Sequence, residues 1–183
     1  MRVRDSTFGE IKMATISLHH ATAEDVPALL SIIRAAFEQY RGRLDPPSGA
    51  HSEDESSIRA KLTGETAVLA WEEGKPVAAV FYQVCPDHVY LHRLAVLPSH
   101  RGRGFGRRLV DYVEAQALIL ERPRVQLGVR LALPENLDYY QRLGYRILEY
   151  ASHPGYTEYT YVTMGKDLET RSQTGGSWTR ISG

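Results

Sequence analysis

The chain reads as one α/β domain, because segments of strand period and segments of helix period follow in the order β-α-α-β-β-β-α-β-α-β-β. A second observation is the stretch Tyr90 to Leu120. It passes from an extended apolar segment through Arg101-Gly102-Arg103-Gly104-Phe105-Gly106 into an amphipathic helix. The third is length: 183 residues suit a single sizeable core better than two.

Residues 1–13 show no clean period and are expected to form a loose, disordered leader, with Met13 a possible alternative start. Ala14 to His20 alternates Ile16 and Leu18 with polar neighbours and reads as the first strand. Thr22 and Asp25 have capping-box spacing, and Val26, Leu29, Leu30, Ile33 and Phe37 recur at helical spacing. Pro27 is tolerated there because it falls in the first turn. Tyr40 to His51 holds too many Gly and Pro residues for regular structure and reads as a long recognition loop. Ser52 and Glu55 open a short helix to Gly64, whose thin apolar face, Ile58 and Leu62, suggests a mobile flap.

Thr66 to Trp71 and Val77 to Val84 are rich in Val, Ala and aromatic residues, and Glu72-Glu73-Gly74-Lys75-Pro76 joins them as a hairpin. Tyr90 to Leu97 is the fourth strand. Leu109, Val110, Val113, Ala117 and Leu120 form the buried stripe of the main helix, which stops before Pro123. Val125 to Leu131 is the fifth strand, Pro134 to Leu143 a helix ended by Gly144, and Tyr145 to Tyr150 and Tyr159 to Met164 the last two strands. The domain thus spans residues 14–168, and the Ser-, Thr- and Gly-rich residues 169–183 read as a disordered tail.

Composition narrows the partners. The formal net charge is zero, so no global field favours nucleic acid or an anionic membrane. No window is apolar enough for a membrane span or a signal core. Cys85 is the only cysteine, which removes a disulfide framework and fits a reducing, cytoplasmic setting. The histidines have no ligand-like spacing with Asp or Glu, so no metal is expected.

The glycine-rich turn carries the functional signal. The first amides of a helix have no acceptor within it and point one way, which makes an anion site. Arg107 and Arg108 crowd the positive end of the helix dipole, a conflict that a polyvalent anion such as a pyrophosphate would relieve. A Walker loop requires Gly-Lys-Ser/Thr, and a dinucleotide fingerprint requires a third glycine where Leu109 stands. A solvated basic turn and an arginine-glycine nucleic-acid segment are the alternatives; the neutral charge and flanking apolar elements weigh against both.

The spacing Arg101, Gly104, Gly106 after the strand Leu91 to Pro98 matches Arg/Gln-x-x-Gly-x-Gly/Ala and resembles the GCN5-related N-acetyltransferase (GNAT) family. A second signature, Asn136 followed by Tyr140-Gln141-Arg142-Leu143-Gly144-Tyr145, resembles the family's Asn…Tyr-x-x-x-Gly-Phe/Tyr. The resemblance covers about Thr15 to Leu168. It implies a mixed, mostly antiparallel seven-stranded sheet with helices on both faces.

It also implies an acetyl-coenzyme A dependent N-acetyltransferase that acts by direct transfer. The loop residues Arg101, Gly102, Arg103, Gly104, Phe105, Gly106 and Arg107 then hold the pyrophosphate. Leu94, Ala95 and Val96 pair their main chain with the pantetheine arm and supply an oxyanion amide, and Asn136 caps its helix or meets the arm.

Acetyl transfer needs a neutral amine, a stabilised oxyanion and a proton for the departing thiolate. Tyr140 is the expected general acid, while Tyr139 reads as a packing residue. Tyr90, His92 and Leu94 share one strand face by alternation, which makes His92 a candidate proton acceptor for the amine. His153-Pro154-Gly155-Tyr156 with Glu158 is expected at the acceptor mouth. A non-catalytic acyl-coenzyme A sensor keeps the same loop and stays open as a rival. The acceptor amine is not readable, and a homodimer is possible.

Overall fold

The structure is a computed structural model that describes residues 16–169, so the expected leader, and the expected tail from residue 170 on, lie outside the described residues. Its strands are β1 (Ile16–His20), β2 (Thr66–Glu72), β3 (Lys75–Val84), β4 (Val89–Val96), β5 (Arg124–Arg130), β6 (Arg146–Ala151) and β7 (Tyr161–Asp167). Its helices are α1 (Val26–Phe37), α2 (Glu55–Lys61), α3 (Phe105–Ile119) and α4 (Pro134–Arg142). The strands form one sheet in the order β1-β2-β3-β4-β5-β7-β6. Every neighbouring pair is antiparallel except β4 and β5.

The sheet separates two apolar layers. On one face α3 lays Phe105, Leu109, Val110, Val113 and Ala117 against Val80, Leu91, Leu127 and Val162. On the other, Leu29, Ile33 and Ala36 of α1 and Ile58 of α2 cover Leu69, Ala79, Phe81 and Ala95. Each such Leu, Ile, Val or Phe taken out of water contributes about 1.5–3 kcal/mol, so these layers fix where every other element sits.

Several local expectations need correction. The Thr22–Asp25 capping box is present, but it closes a short 3-10 turn, Ala23–Asp25, that leads into α1. The second helix is capped by Asp54 with Ser57 rather than by Ser52 with Glu55. That helix is no loose flap, because Ile58 is fully buried against α1. The main helix ends at Ile119, leaving Leu120 exposed beyond the stripe. No helix among the described residues is long and apolar enough to cross a membrane.

Candidate active site

The parallel ladder between β4 and β5 is short. Val89, Tyr90 and Leu91 pair with Val125, Gln126 and Leu127, and the pairing ends there. Beyond that point the facing edges of the two strands carry main-chain groups with no ladder between them, and they border a cavity of about 1150 Å³.

The parting begins at a kink in β4. Arg93 has φ +52°, and the β3–β4 register slips between Ala79 and Phe81. A bulge of this kind reverses the alternation downstream. Tyr90 and His92 lie on the α1 face, where His92 meets Phe81 with ring centroids 5.7 Å apart. Leu94 and Val96, however, join the layer under α3, so the expectation that Tyr90, His92 and Leu94 share a side fails after Arg93.

The kink is held by charge. Arg93 donates through Nε and Nη2 to Oε1 of Glu53 at 3.2 and 3.1 Å. Glu53 is only 4% exposed and also accepts from Ser57 and Lys61. Burial pushes the Glu53 carboxyl up, but the Ser57 and Lys61 hydrogen bonds and the Arg93 charge outweigh it and hold it below its ordinary value.

At the head of α3, Gly104 occupies the N-cap position with φ +85°, a left-handed conformation that other residues adopt only with strain. No side chain among the described residues caps this end, which leaves the first amides available to an outside acceptor. Gly106 permits close approach: a β-carbon there would lie 3.1 Å from Tyr139 Oη and 3.8 Å from Leu94.

Arg101, Gly102, Gly104, Phe105, Gly106 and Arg107 line the cavity. Arg101 is tied back to α1, donating to Gln39 and to the Ala36 carbonyl, each at 2.9 Å. Arg107 pairs with Asp111 at 2.7 Å. Arg103 does not line the cavity. Its guanidinium turns away to Glu72 at 2.6 and 2.9 Å and lies over Phe105. Among the β4 residues Leu94 and Val96 line the wall, whereas the Ala95 side chain is buried in the α1 layer.

The opposite wall comes from α4. Tyr140 stands edge-on to Tyr139 and Tyr145, with centroids 5.1 and 5.7 Å away. Burial, with Tyr139 beside it, pushes the Tyr140 phenol well above its ordinary value, so it stays protonated at neutral pH. Tyr139 is more than a packing residue, since it too lines the cavity with its hydroxyl beside Gly106. Asn136 is not the helix cap, a position held by Leu133. Its amide lines the cavity and donates to Tyr40 Oη at 3.3 Å.

The far end of the cavity gathers distant segments. His92 stacks on Tyr90 and donates from Nε2 to Glu65 at 2.9 Å. Burial holds its imidazole below the ordinary histidine value, with Glu65 only partly offsetting. A neutral ring that donates from Nε2 keeps Nδ1 as an acceptor. Ser152, His153 and Pro154 line this end, but Tyr156 bonds Asp45 instead, and Glu158 only offers its carbonyl to Ser152. Among the described residues no cluster of three His, Cys, Asp or Glu has metal-binding geometry.

The family model described as "Acetyltransferase (GNAT) family" matches residues 27–145. The chain belongs to the GNAT family. A curated relative, S-alkylcysteine N-acetyltransferase of Bacillus subtilis (strain 168), is 28% identical over 137 residues, covering 69% of this chain and 76% of that protein.

Among solved structures, the PaiA N-acetyltransferase of Thermoplasma acidophilum in complex with coenzyme A superposes with a TM-score of 0.71 at 14% identity. The match covers 84% of this chain and 99% of that one. The ribosomal-protein-S18-alanine N-acetyltransferase of Escherichia coli gives 0.68 at 18% identity, covering 91% and 100%. At these identities the two structures speak to fold, and the mixed seven-stranded sheet is the GNAT fold.

Some residues of this GNAT site escaped the sequence reading. Glu53 and Glu65 sit in polar surroundings that look like solvated surface until the chain is folded. Arg130 had a faint signal, as the one charge inside the strand segment Val125 to Leu131. The bulge at Arg93 had none, because the strand pattern is unbroken there.

Proposed function

We propose that this GNAT chain transfers the acetyl group of acetyl-coenzyme A directly to the amine of an acceptor. The observation that carries the reading is the parting of β4 from β5 after Leu91 and Leu127, beside a helix start walled by glycine. The N-acetyltransferase name of the Bacillus subtilis relative and the coenzyme A complex of the Thermoplasma protein support it.

The residues present suit the coenzyme. The uncapped amides from Gly102 to Arg107 and the nearby Arg101 offer a cradle for a pyrophosphate, with the dipole of α3 adding partial positive charge. The β4 main chain at Leu94, Ala95 and Val96, with no ladder toward β5, pairs with the pantetheine arm, and Asn136 faces the same channel. Acetyl-coenzyme A supplies a thioester.

The chain supplies the rest. A main-chain amide in Leu94 to Val96 receives the oxyanion, where a preformed donor acts most strongly because it needs no reorganisation. His92 Nδ1 takes the proton that the amine nitrogen loses as its bond to the acetyl carbon forms. Tyr140 gives its proton to the sulfur as the carbon–sulfur bond breaks.

Titration calorimetry with acetyl-coenzyme A, followed by thiol release across a panel of amines, tests this. Binding with turnover of at least one amine is expected. Binding without thiol release on any amine supports the sensor reading, and no binding at all removes the coenzyme cradle.

A further inference from the structure

Four arginines line the cavity, and they differ in how their charge is met. Arg93 lies 3.1 Å from Glu53 and Arg107 2.7 Å from Asp111. Arg101 and Arg130 have no carboxylate within ion-pairing distance among the described residues. For Arg101, at the α3 end, the pyrophosphate accounts for the missing anion. Arg130 has no such explanation.

The Arg130 guanidinium donates from Nη2 to the Pro46 carbonyl at 2.7 Å, while its Nε is buried with no partner among the described residues. Asp45 is nearby, but its carboxylate accepts from the Tyr156 hydroxyl. Burial pushes the guanidinium below its ordinary value, with Tyr156 and Asp45 only partly offsetting it. Such a charge is costly to hold unless something pairs with it.

Its position says what that partner is attached to. Along β5, Val125, Leu127 and Val129 belong to the layer under α3, so Gln126, Gly128 and Arg130 face the α1 side with Tyr90 and His92. The Tyr90 hydroxyl lies 3.0 Å from where a β-carbon on Gly128 would stand, which places the two strands' side chains in one chamber. Arg130 and His92 therefore open into the same end of the cavity, where the acceptor amine gives up its proton.

We propose that Arg130 anchors a carboxylate on the acceptor, which makes the substrate class amino acids with the acid group close to the reacting amine. The planar guanidinium fork matches a carboxylate with two parallel hydrogen bonds. The other carboxylates near this end are already engaged: Glu65 by His92, Glu53 by Arg93 and Asp45 by Tyr156. Leu44, Pro46, Pro47 and Tyr161 give the chamber an apolar side that suits an uncharged side group.

The inference rests on the transferase reading, and one experiment separates their failures. Coenzyme A affinity is measured by calorimetry. Thiol release is then measured for the twenty proteinogenic amino acids, their amides, the matching decarboxylated amines and spermidine. The expected result is turnover of one or more acids with kcat/KM at least about 100-fold above that of the matching amide and amine. Arg130→Met collapses that ratio through KM, Arg130→Lys restores part of it, and both variants keep the wild-type affinity for coenzyme A.

Failure of the wild type to bind coenzyme A overturns the transferase reading itself. Coenzyme binding with amides and amines used as well as acids, or with no acid used, overturns only the carboxylate anchor. So does an Arg130→Met protein that loses coenzyme affinity, because the charge then serves the coenzyme.

Discussion

The two ends of the cavity are built in opposite ways. At the α3 end one stretch of chain, Arg101 to Arg107 without Arg103, presents main-chain groups shaped by glycine. At the other end, side chains from β4, β5, the Leu44 to Gly49 segment and Ser152 to Tyr161 converge. A main-chain site tolerates changes of side chain and fails when its backbone angles are lost. A side-chain site depends on the supports behind each group, and its selectivity changes with single replacements.

The largest effect should come from removing a support at the side-chain end. Glu53→Ala leaves Arg93 and Lys61 without their shared carboxylate and should cost about 3–5 kcal/mol of stability in urea unfolding. The carboxyl is held below its ordinary value when folded, so its stabilisation is complete above the ordinary carboxylate range and fades as pH falls through the lowered native value. Glu53→Gln should flatten that acid loss; an unchanged acid profile would detach Arg93 from the network.

At the main-chain end, Gly104→Asp places a side chain at φ +85° and a negative charge beside the free amides. Coenzyme A affinity should fall at least about 100-fold by calorimetry, the sum of backbone strain and lost anion attraction. Tyr140→Phe joins the two ends: kcat should drop about 100-fold with coenzyme affinity unchanged. Full turnover in that variant would remove the proton donor from the scheme.

Smaller effects sharpen the contrast. In the wild type, kcat/KM should fall on the acid side with a midpoint below the ordinary histidine value, and His92→Gln should erase that limb at about a 10-fold loss of rate. Arg107→Ala should weaken coenzyme A only about 3-fold, because its exposed guanidinium is already shared with Asp111. A loss as large as that of Gly104→Asp would mean that the side chain, not the backbone, carries the anion.

The same contrast explains what could be read before folding. The glycine spacing at Gly102, Gly104 and Gly106 and the four-residue step from Tyr140 to Gly144 are local, so their geometry follows from neighbours in sequence. The element order was equally plain, because each strand and helix carries its own apolar period. The face of Leu94 was misread because one bulged residue inverts every position after it while leaving the pattern of residue types untouched. Arg103 was misplaced because its partner, Glu72, is 31 residues away on β2. Asn136 was taken for a possible cap because nothing nearby announces Leu133 in that role.

The tethers of the glycine loop bear on how the protein meets its ligand. Arg101 is fastened to the end of α1, and Arg103 to Glu72 on β2. The turn between them is set before anything arrives, so an incoming diphosphate spends little of its interaction on ordering the loop. Capture should then need little rearrangement of the loop, with selectivity among acceptors decided afterwards in the chamber built of side chains.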